Sequence, residues 1–77
     1  MEHYALVVDV RPARSTVTVY EHDGPDWLRL LWRDDRRYQA PPAVVTQVVC
    51  GVLVALAGHG DRAGLIGDLD ELLADLW

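Results

Sequence analysis

Apolar residues dominate one continuous stretch of the chain, residues 42–57 (PAVVTQVVCGVLVALA), which only a threonine and a glutamine interrupt. A run of this length exceeds the roughly 4–8 residues of a typical strand and therefore predicts a helix. Pro42 suits the first turn, because a proline there has no N–H group to leave unpaired. Gly58 suits the end, because glycine readily adopts the left-handed conformation that terminates helices. The pattern predicts a helix with no obvious solvent-facing side.

A membrane span is the less favoured interpretation of this helix. At 1.5 Å per residue the stretch would be roughly 24 Å long, which is short of the ~30 Å hydrocarbon core of a bilayer. Gln47 lies inside the stretch, and no cluster of basic residues flanks it. We therefore expect the helix to be buried by protein.

Three segments before the helix have patterns typical of strands. Residues 3–10 are mostly apolar, residues 15–22 alternate with a period of two, and residues 27–33 are rich in leucine and tryptophan. Turn-forming residues at 11–14 and 23–26 separate them. Two short connections predict two antiparallel hairpins, and hence a meander with the second strand in the centre.

Pairing the two hairpins predicts which side chains share a face of the sheet. The first hairpin sets Val8 opposite Val17, and the second sets Val19 opposite Leu30. One face is then almost purely apolar, which supports the register, and we expect this face to cover one side of the helix. Its members are Leu6, Val8, Val10, Val17, Val19, Leu28, Leu30 and Trp32.

The outer face of the sheet carries apolar and aromatic residues where an antiparallel sheet usually shows polar ones. In this register Tyr20 faces Arg29, and Trp27 lies beside His22. Aromatic residues next to arginine are typical of binding hot spots. We therefore predict a partner-binding surface. The alternative is that the stems of the arginine side chains, or the C-terminal segment, cover these apolar residues. The predicted surface consists of Tyr20, Trp27, Arg29, Leu31 and Arg33.

The end of the chain predicts a short acidic helix. Residues 61–67 are rich in glycine and are expected to be irregular, whereas Asp68 and Glu71 have the spacing of a capping box. Leucines recur at helical spacing after Asp68. The predicted fold class is α+β with the order β-β-β-α-α, in a single domain spanning residues 1–77. Whether residues 36–39 form a fourth strand stays open.

The small size of the chain favours an oligomer. A protein of 77 residues buries only about 60% of its unfolded surface, so a monomer would be marginally stable. Apolar residues nevertheless make up 51% of the chain, and one sheet and one short helix leave part of the long helix uncovered. We therefore expect a homodimer. The predicted interface consists of Val45, Val48, Val49, Val52 and Leu56.

The charge of the chain helps to distinguish a protein partner from nucleic acid. The net charge is −5 and the chain has no lysine, which disfavours nucleic acid because its affinity depends largely on neutralised phosphates. The outer face nevertheless carries arginines, so binding nucleic acid through the sheet is the alternative. Arg36 and Arg37 would extend such a surface, but Asp34 and Asp35 lie within the same stretch. A salt-bridged turn is the favoured interpretation there.

No residue spacing supports a catalytic, metal or cofactor site. His3 and His22 would be opposed across two strands, but such pairs are usually surface residues. His59 and Asp61 have no nucleophile placed beside them. Cys50 lies in the apolar helix and is expected to be a buried reduced thiol. We therefore expect a non-enzymatic protein-interaction module, such as a regulator, an inhibitor or an assembly factor.

Two further expectations concern origin and location. The chain lacks lysine, asparagine and phenylalanine and has one isoleucine. These residues use A/T-rich codons, so we expect a gene from a G+C-rich bacterium or its phage. Residues 1–11 lack the basic start and long apolar run of a signal peptide, which favours the cytoplasm.

Overall fold

Three antiparallel strands and then two helices form the computed structural model, which describes residues 4–58 and 61–77. The elements are β1 (Tyr4–Arg11), β2 (Arg14–His22), β3 (Leu28–Arg36), α1 (Pro42–Gly58) and α2 (Arg62–Leu76). The predicted α+β class and the β-β-β-α-α order are confirmed. The chain forms two compact units, a sheet unit within residues 1–39 and a helical unit within residues 40–77. The single domain, with the sheet covering the helix, stays a prediction.

The sheet has the order β1-β2-β3, so the predicted meander with a central second strand is confirmed. The first hairpin closes with Arg11 opposite Arg14 and sets Val8 opposite Val17, as predicted. In the second connection Gly24 has a φ of +87°, a conformation that glycine adopts without steric cost. The N–H of Asp23 donates to the carbonyl of Trp27 at 2.8 Å, so Trp27 closes this loop and does not begin the strand.

The predicted register of the second hairpin is wrong. Tyr20 lies opposite Leu30 and Val19 lies opposite Trp32, with a β-bulge between these pairs that leaves Leu31 as the extra residue of β3. The longer loop shifts the pairing by one residue, and the bulge shifts it again. The strand then continues through Asp34 and Asp35 to Arg36, and residues 37–39 form no fourth strand.

This register exchanges several side chains between the two faces, because neighbouring residues of a strand point to opposite sides. Val17 and Val19 are fully buried and Trp32 is 8% exposed, so their predicted burial is confirmed. Leu28 and Leu30, which were predicted to face the core, are about half exposed. Leu31, predicted on the outer face, is only 8% exposed.

Helix α1 extends one residue beyond its predicted range and has a solvent-facing side after all. Val48 and Val52 are fully buried, whereas Leu53 and Val54 are 53% and 73% exposed. Cys50 is also exposed, so the expectation of a buried thiol is wrong. At 100° per residue it lies on the opposite side of the helix from Val48 and Val52. Within the described ranges, no helix has both the length and the hydropathy to cross a bilayer.

Helix α2 begins at Arg62, with Asp61 at the N-cap, seven residues before the predicted N-cap at Asp68. The cap has extended backbone angles and its side chain makes no capping hydrogen bond. Residues 61–67, expected to be irregular, are therefore mostly helical, because packing outweighs the low helix propensity of their glycines. The buried side of the helix carries leucines at four-residue spacing, Leu65, Leu69 and Leu73, each at most 1% exposed.

The two helices approach closely at Gly51. A Cβ atom placed there would lie 2.7 Å from Cδ2 of Leu72, closer than side chains tolerate without moving. Glycine inside a helix costs about 0.5–1 kcal/mol relative to alanine. The packing of Leu72 against the bare backbone offsets this cost.

We expect Gly51→Ala to change the free energy of unfolding by close to zero, because the helix-propensity gain is offset by displacement of Leu72. In a Leu72→Ala background, the same substitution should stabilise the protein by about 1 kcal/mol. Urea unfolding of the four proteins in this double-mutant cycle measures the coupling. Equal effects of Gly51→Ala in the two backgrounds would contradict the contact.

Candidate functional site

The outer face of the sheet is the candidate binding surface, and the observed register determines its members. Tyr20 on β2 lies between Ala5 on β1 and Leu30 on β3. Leu28 shares this face with Leu30 and lies opposite His22. Trp27 precedes Leu28 in the loop. We use the name outer apolar patch for Val7, Tyr20, Trp27, Leu28 and Leu30.

Four side chains of the outer apolar patch are exposed, and the fifth, Tyr20, is half-buried. Trp27 is 74% exposed, and Val7, Leu28 and Leu30 are each about half exposed. Scattered exposed apolar residues are normal on a protein surface, but neighbouring ones mark interaction sites. Leu28 and Leu30 are neighbours on one strand face, and Tyr20 is the cross-strand neighbour of Leu30. Leu28, Leu30 and Tyr20 thus adjoin one another, whereas the cross-strand neighbour of Val7 is the buried Thr18.

The structure retains three of the five residues predicted for this surface. Tyr20 and Arg33 lie on the outer face, and Trp27 lies exposed at its end. Leu31 is buried at the bulge and cannot reach a partner. Arg29 alternates with Leu28 and Leu30 along β3 and so points to the other side of the strand. Sequence reasoning missed Leu28 and Leu30 because it assigned both to the core.

Arg29 is held by Glu21, the residue directly opposite it on β2. Its Nη2 and Nε atoms donate to Oε1 of Glu21 at 2.7 and 3.0 Å. This hydrogen bond and the charge of Glu21 raise the pKa of Arg29 above its ordinary value. The predicted pairing of Tyr20 with Arg29 is therefore replaced by a cross-strand ion pair.

Asp35 joins two residues of the outer face at the end distant from Trp27. The hydroxyl of Thr16 donates to Oδ1 of Asp35 at 2.7 Å, and Nε of Arg33 lies 3.3 Å from Oδ2. The Thr16 hydrogen bond, and then Arg33, lower the pKa of Asp35 below its ordinary value. The carboxylate therefore stays ionised at neutral pH and offsets the charge of Arg33.

Arginines elsewhere in the sheet also have carboxylates beside them. Nε of Arg36 lies 3.0 Å from Oδ2 of Asp34, and Nε of Arg11 lies 3.1 Å from Oδ2 of Asp9. The predicted salt bridges near Arg33 are confirmed, but they form along a strand and not in a turn, because each pair is two residues apart on one strand face. A phosphate approaching any of these arginines would also meet an acidic group.

The predicted dimer-interface residues of α1 do not form an open surface. Val48 and Val52 are fully buried, and Val45, Val49 and Leu56 are half-buried. The exposed side of α1 carries Cys50, Leu53 and Val54 instead. The sequence could not distinguish these sides, because few polar residues mark the face that meets water.

No group of acidic, histidine or cysteine side chains in residues 4–58 and 61–77 is arranged to hold a metal ion. The suggested pairs His3 with His22 and His59 with Asp61 each include a residue outside the described residues. Cys50, the single cysteine, is exposed.

Comparison of the chain with protein-family models, with curated proteins and with solved structures gave no match in any of the three. A function must therefore be argued from the surfaces of the chain itself.

Proposed function

We propose that this protein is a small, non-enzymatic protein-interaction module of the cytoplasm that acts as a homodimer. It binds a protein partner through the outer apolar patch, as a regulator, an inhibitor or an assembly factor does. The observation that carries the proposal is the exposure of Trp27, at 74%, beside the half-exposed Leu28 and Leu30.

The outer apolar patch has the composition of an interface core. Fully burying a leucine side chain contributes about 1.5–3 kcal/mol relative to leaving it exposed. Leu28 and Leu30 each retain about half of their exposure, so a partner that covers them would gain roughly 1 kcal/mol from each. Trp27 offers a larger apolar surface, and tryptophan is among the residues most enriched in hot spots. Tyr20 adds a second aromatic residue with a polar end.

Nucleic acid is the second candidate, because Trp27 could stack on a base and Arg33 lies exposed on the same face. The ion pairs of the sheet weaken this candidate. A phosphate bound by Arg33 would lie near Asp35, whose lowered pKa keeps it charged. The net charge of −5 adds a general repulsion.

The test is capture of a partner from a lysate of the source organism, with the full chain immobilised and half of the lysate treated with nuclease. A second bait carries Trp27→Ala and Leu30→Ser, and a control bait carries Arg37→Ala, an exposed position outside the patch. We expect a protein retained by the native and control baits, with or without nuclease, and lost from the double variant. Retention that depends on nucleic acid and not on Trp27 would favour the alternative.

The homodimer gives a separate prediction, centred on Cys50 and Leu53 of α1. We expect Leu53→Ser to shift the protein from dimer to monomer, because Leu53 is 53% exposed and would be covered by the second copy. Light scattering over a wide concentration range measures this shift.

Cys50 lies in the middle of the exposed side, so in a symmetric pair of α1 helices it meets its counterpart and mild oxidation should link the two copies.

Cys50→Ser is the control for this cross-link. A native protein that stays at 8.6 kDa at every concentration would exclude the dimer.

A further inference from the structure

A surface groove of about 440 Å³ runs between α1 and α2, within the helical unit. Its uncharged lining comes mainly from α1, together with one leucine of α2, and all of its carboxylates come from α2. The lining residues are Gly51, Val54, Ala55 and Leu72 on the uncharged side and Asp68, Glu71 and Asp75 on the charged side. The groove therefore combines an apolar floor with one acidic wall.

The acidic wall extends along two turns of α2. Its carboxylates stand at Asp68, Glu71 and Asp75, a span of seven residues or about 10 Å at 1.5 Å per residue. Glu71 and Asp75 are one helical turn apart, where like charges destabilise a helix. Helix α1 contains no charged residue, so it offers no cation to relieve this repulsion. A cationic partner would relieve it.

The absence of a side chain at Gly51 shapes the floor of the groove. Leu72 packs so close to this glycine that an added Cβ would lie within 2.9 Å of both of its methyl groups. Val54 is 73% exposed beside it. One apolar side chain from a partner could therefore rest against Val54 and Leu72 while cationic groups meet the carboxylates.

A second copy of the chain is a poor occupant of this groove. The chain has a net charge of −5 and no lysine. Arginines of the sheet, such as Arg29 and Arg36, already have carboxylates within 3.0 Å. Nucleic acid would be repelled by the wall. The complementary occupant is thus a basic segment of a different protein.

We propose that the groove binds a basic amphipathic helix of a partner protein, at a site separate from the outer apolar patch. A helix laid along the groove has the same rise per residue as α2, so cationic side chains one turn apart match Glu71 and Asp75. An apolar residue between them enters the floor against Val54 and Leu72. Helix-in-groove recognition of this kind uses anchors at three- and four-residue spacing.

The probe for the experiment is a fluorescent synthetic peptide of leucine and lysine, about four helical turns long, with leucines on one side. A scrambled peptide of the same composition, with no apolar side, is its control. Fluorescence anisotropy with the full chain should show saturable binding of the amphipathic peptide that weakens as salt is raised. Equal binding of the scrambled peptide would overturn the proposal, because it would show charge attraction alone. Absence of saturable binding would overturn it as well.

Matched variants locate the site of binding. Glu71→Gln with Asp75→Asn removes two charges from the wall, and Asp61→Asn with Asp70→Asn removes two charges from outside the groove. We expect about a tenfold loss of affinity for the first pair, equivalent to about 1.4 kcal/mol, and less than a twofold change for the second. Equal losses of affinity for the two pairs would show that the peptide is attracted by the overall acidic charge, and would overturn the proposal that it binds in the groove.

The apolar floor has its own matched pair of substitutions on α1. Val54→Ser should weaken peptide binding about fivefold, because Val54 lines the groove, whereas Ala43→Ser should not, because Ala43 does not. Both positions are exposed, so both variants should fold, which circular dichroism verifies. Unchanged peptide binding by Val54→Ser would overturn the proposed floor.

Discussion

Replacing Trp32 with alanine is expected to lower the free energy of unfolding by about 3–5 kcal/mol, the range for truncation of a buried aromatic residue. Trp32 is 8% exposed and lies opposite the fully buried Val19 at the bulge. Its loss would leave a cavity that the neighbouring strand cannot fill. Urea or guanidinium unfolding followed by circular dichroism measures the change.

Trp27→Ala is the matched control, since it removes the same side chain from a position that is 74% exposed. We expect a loss below about 1 kcal/mol there, because surface substitutions seldom exceed a small effect. Comparable losses in the free energy of unfolding for the two variants would contradict the burial of Trp32 and the exposure of Trp27.

Truncation of the outer apolar patch is expected to weaken the binding of the captured partner about thirtyfold at Trp27 and about fivefold at Leu30. Trp27→Ala should cost about 2 kcal/mol of binding free energy, which is the threshold for a hot spot, and Leu30→Ser about 1 kcal/mol. Arg29→Ala should cost far less, because Arg29 is held by Glu21 and points away from Leu30. Isothermal titration calorimetry of the purified pair gives each affinity.

The two candidate partners predict opposite results in this series. If the partner is nucleic acid, loss of Arg33 should lower the affinity and flatten its salt dependence by about one unit of slope. If the partner is a protein, Trp27 and Leu30 should dominate and salt should have little influence. If a protein that carries both Trp27→Ala and Leu30→Ser binds the partner with unchanged affinity, the outer apolar patch is excluded as the binding site.

The first hairpin could be predicted from sequence, because its pattern and its loop agree. Residues of β2 alternate regularly, and a two-residue loop leaves one register that keeps Val8 and Val17 together. The second hairpin has no such constraint. Residues 27–32 are nearly all apolar, so several registers place large side chains on the buried face. A bulge leaves no trace in hydrophobic alternation, and so Leu31 was assigned to the wrong face.

Charge pairing was the information in the sequence that would have located the register. The observed alignment brings the oppositely charged Glu21 and Arg29 directly opposite each other. Cross-strand pairs of opposite charge contribute roughly 0.2–1 kcal/mol, so a search for them would have favoured this alignment. It would also have placed Leu30 beside Tyr20 and identified the exposed leucines of the binding surface.

For the helices, too, the sequence pattern specifies some features, such as the ends of α1, and leaves others open. Pro42 and Gly58 correctly bounded α1, because their backbone preferences act locally. The start of α2 was missed because its glycines suggested a loop, although Leu65 stands four residues before Leu69. The solvent side of α1 depends on tertiary packing, and within the apolar run only the exposed Thr46 and Gln47 mark it with polar side chains.

The bulge in β3 also affects how the sheet can meet other strands. In the sheet, β3 is an edge strand, and edge strands with continuous unpaired backbone groups invite pairing with another chain. The extra residue at Leu31 divides this edge into two short segments with different registers. A regular incoming strand can align with one segment or the other, but not with both. This edge of the sheet can therefore present Trp27, Leu28 and Leu30 to a partner while resisting the extended strand stacking that leads to fibrils.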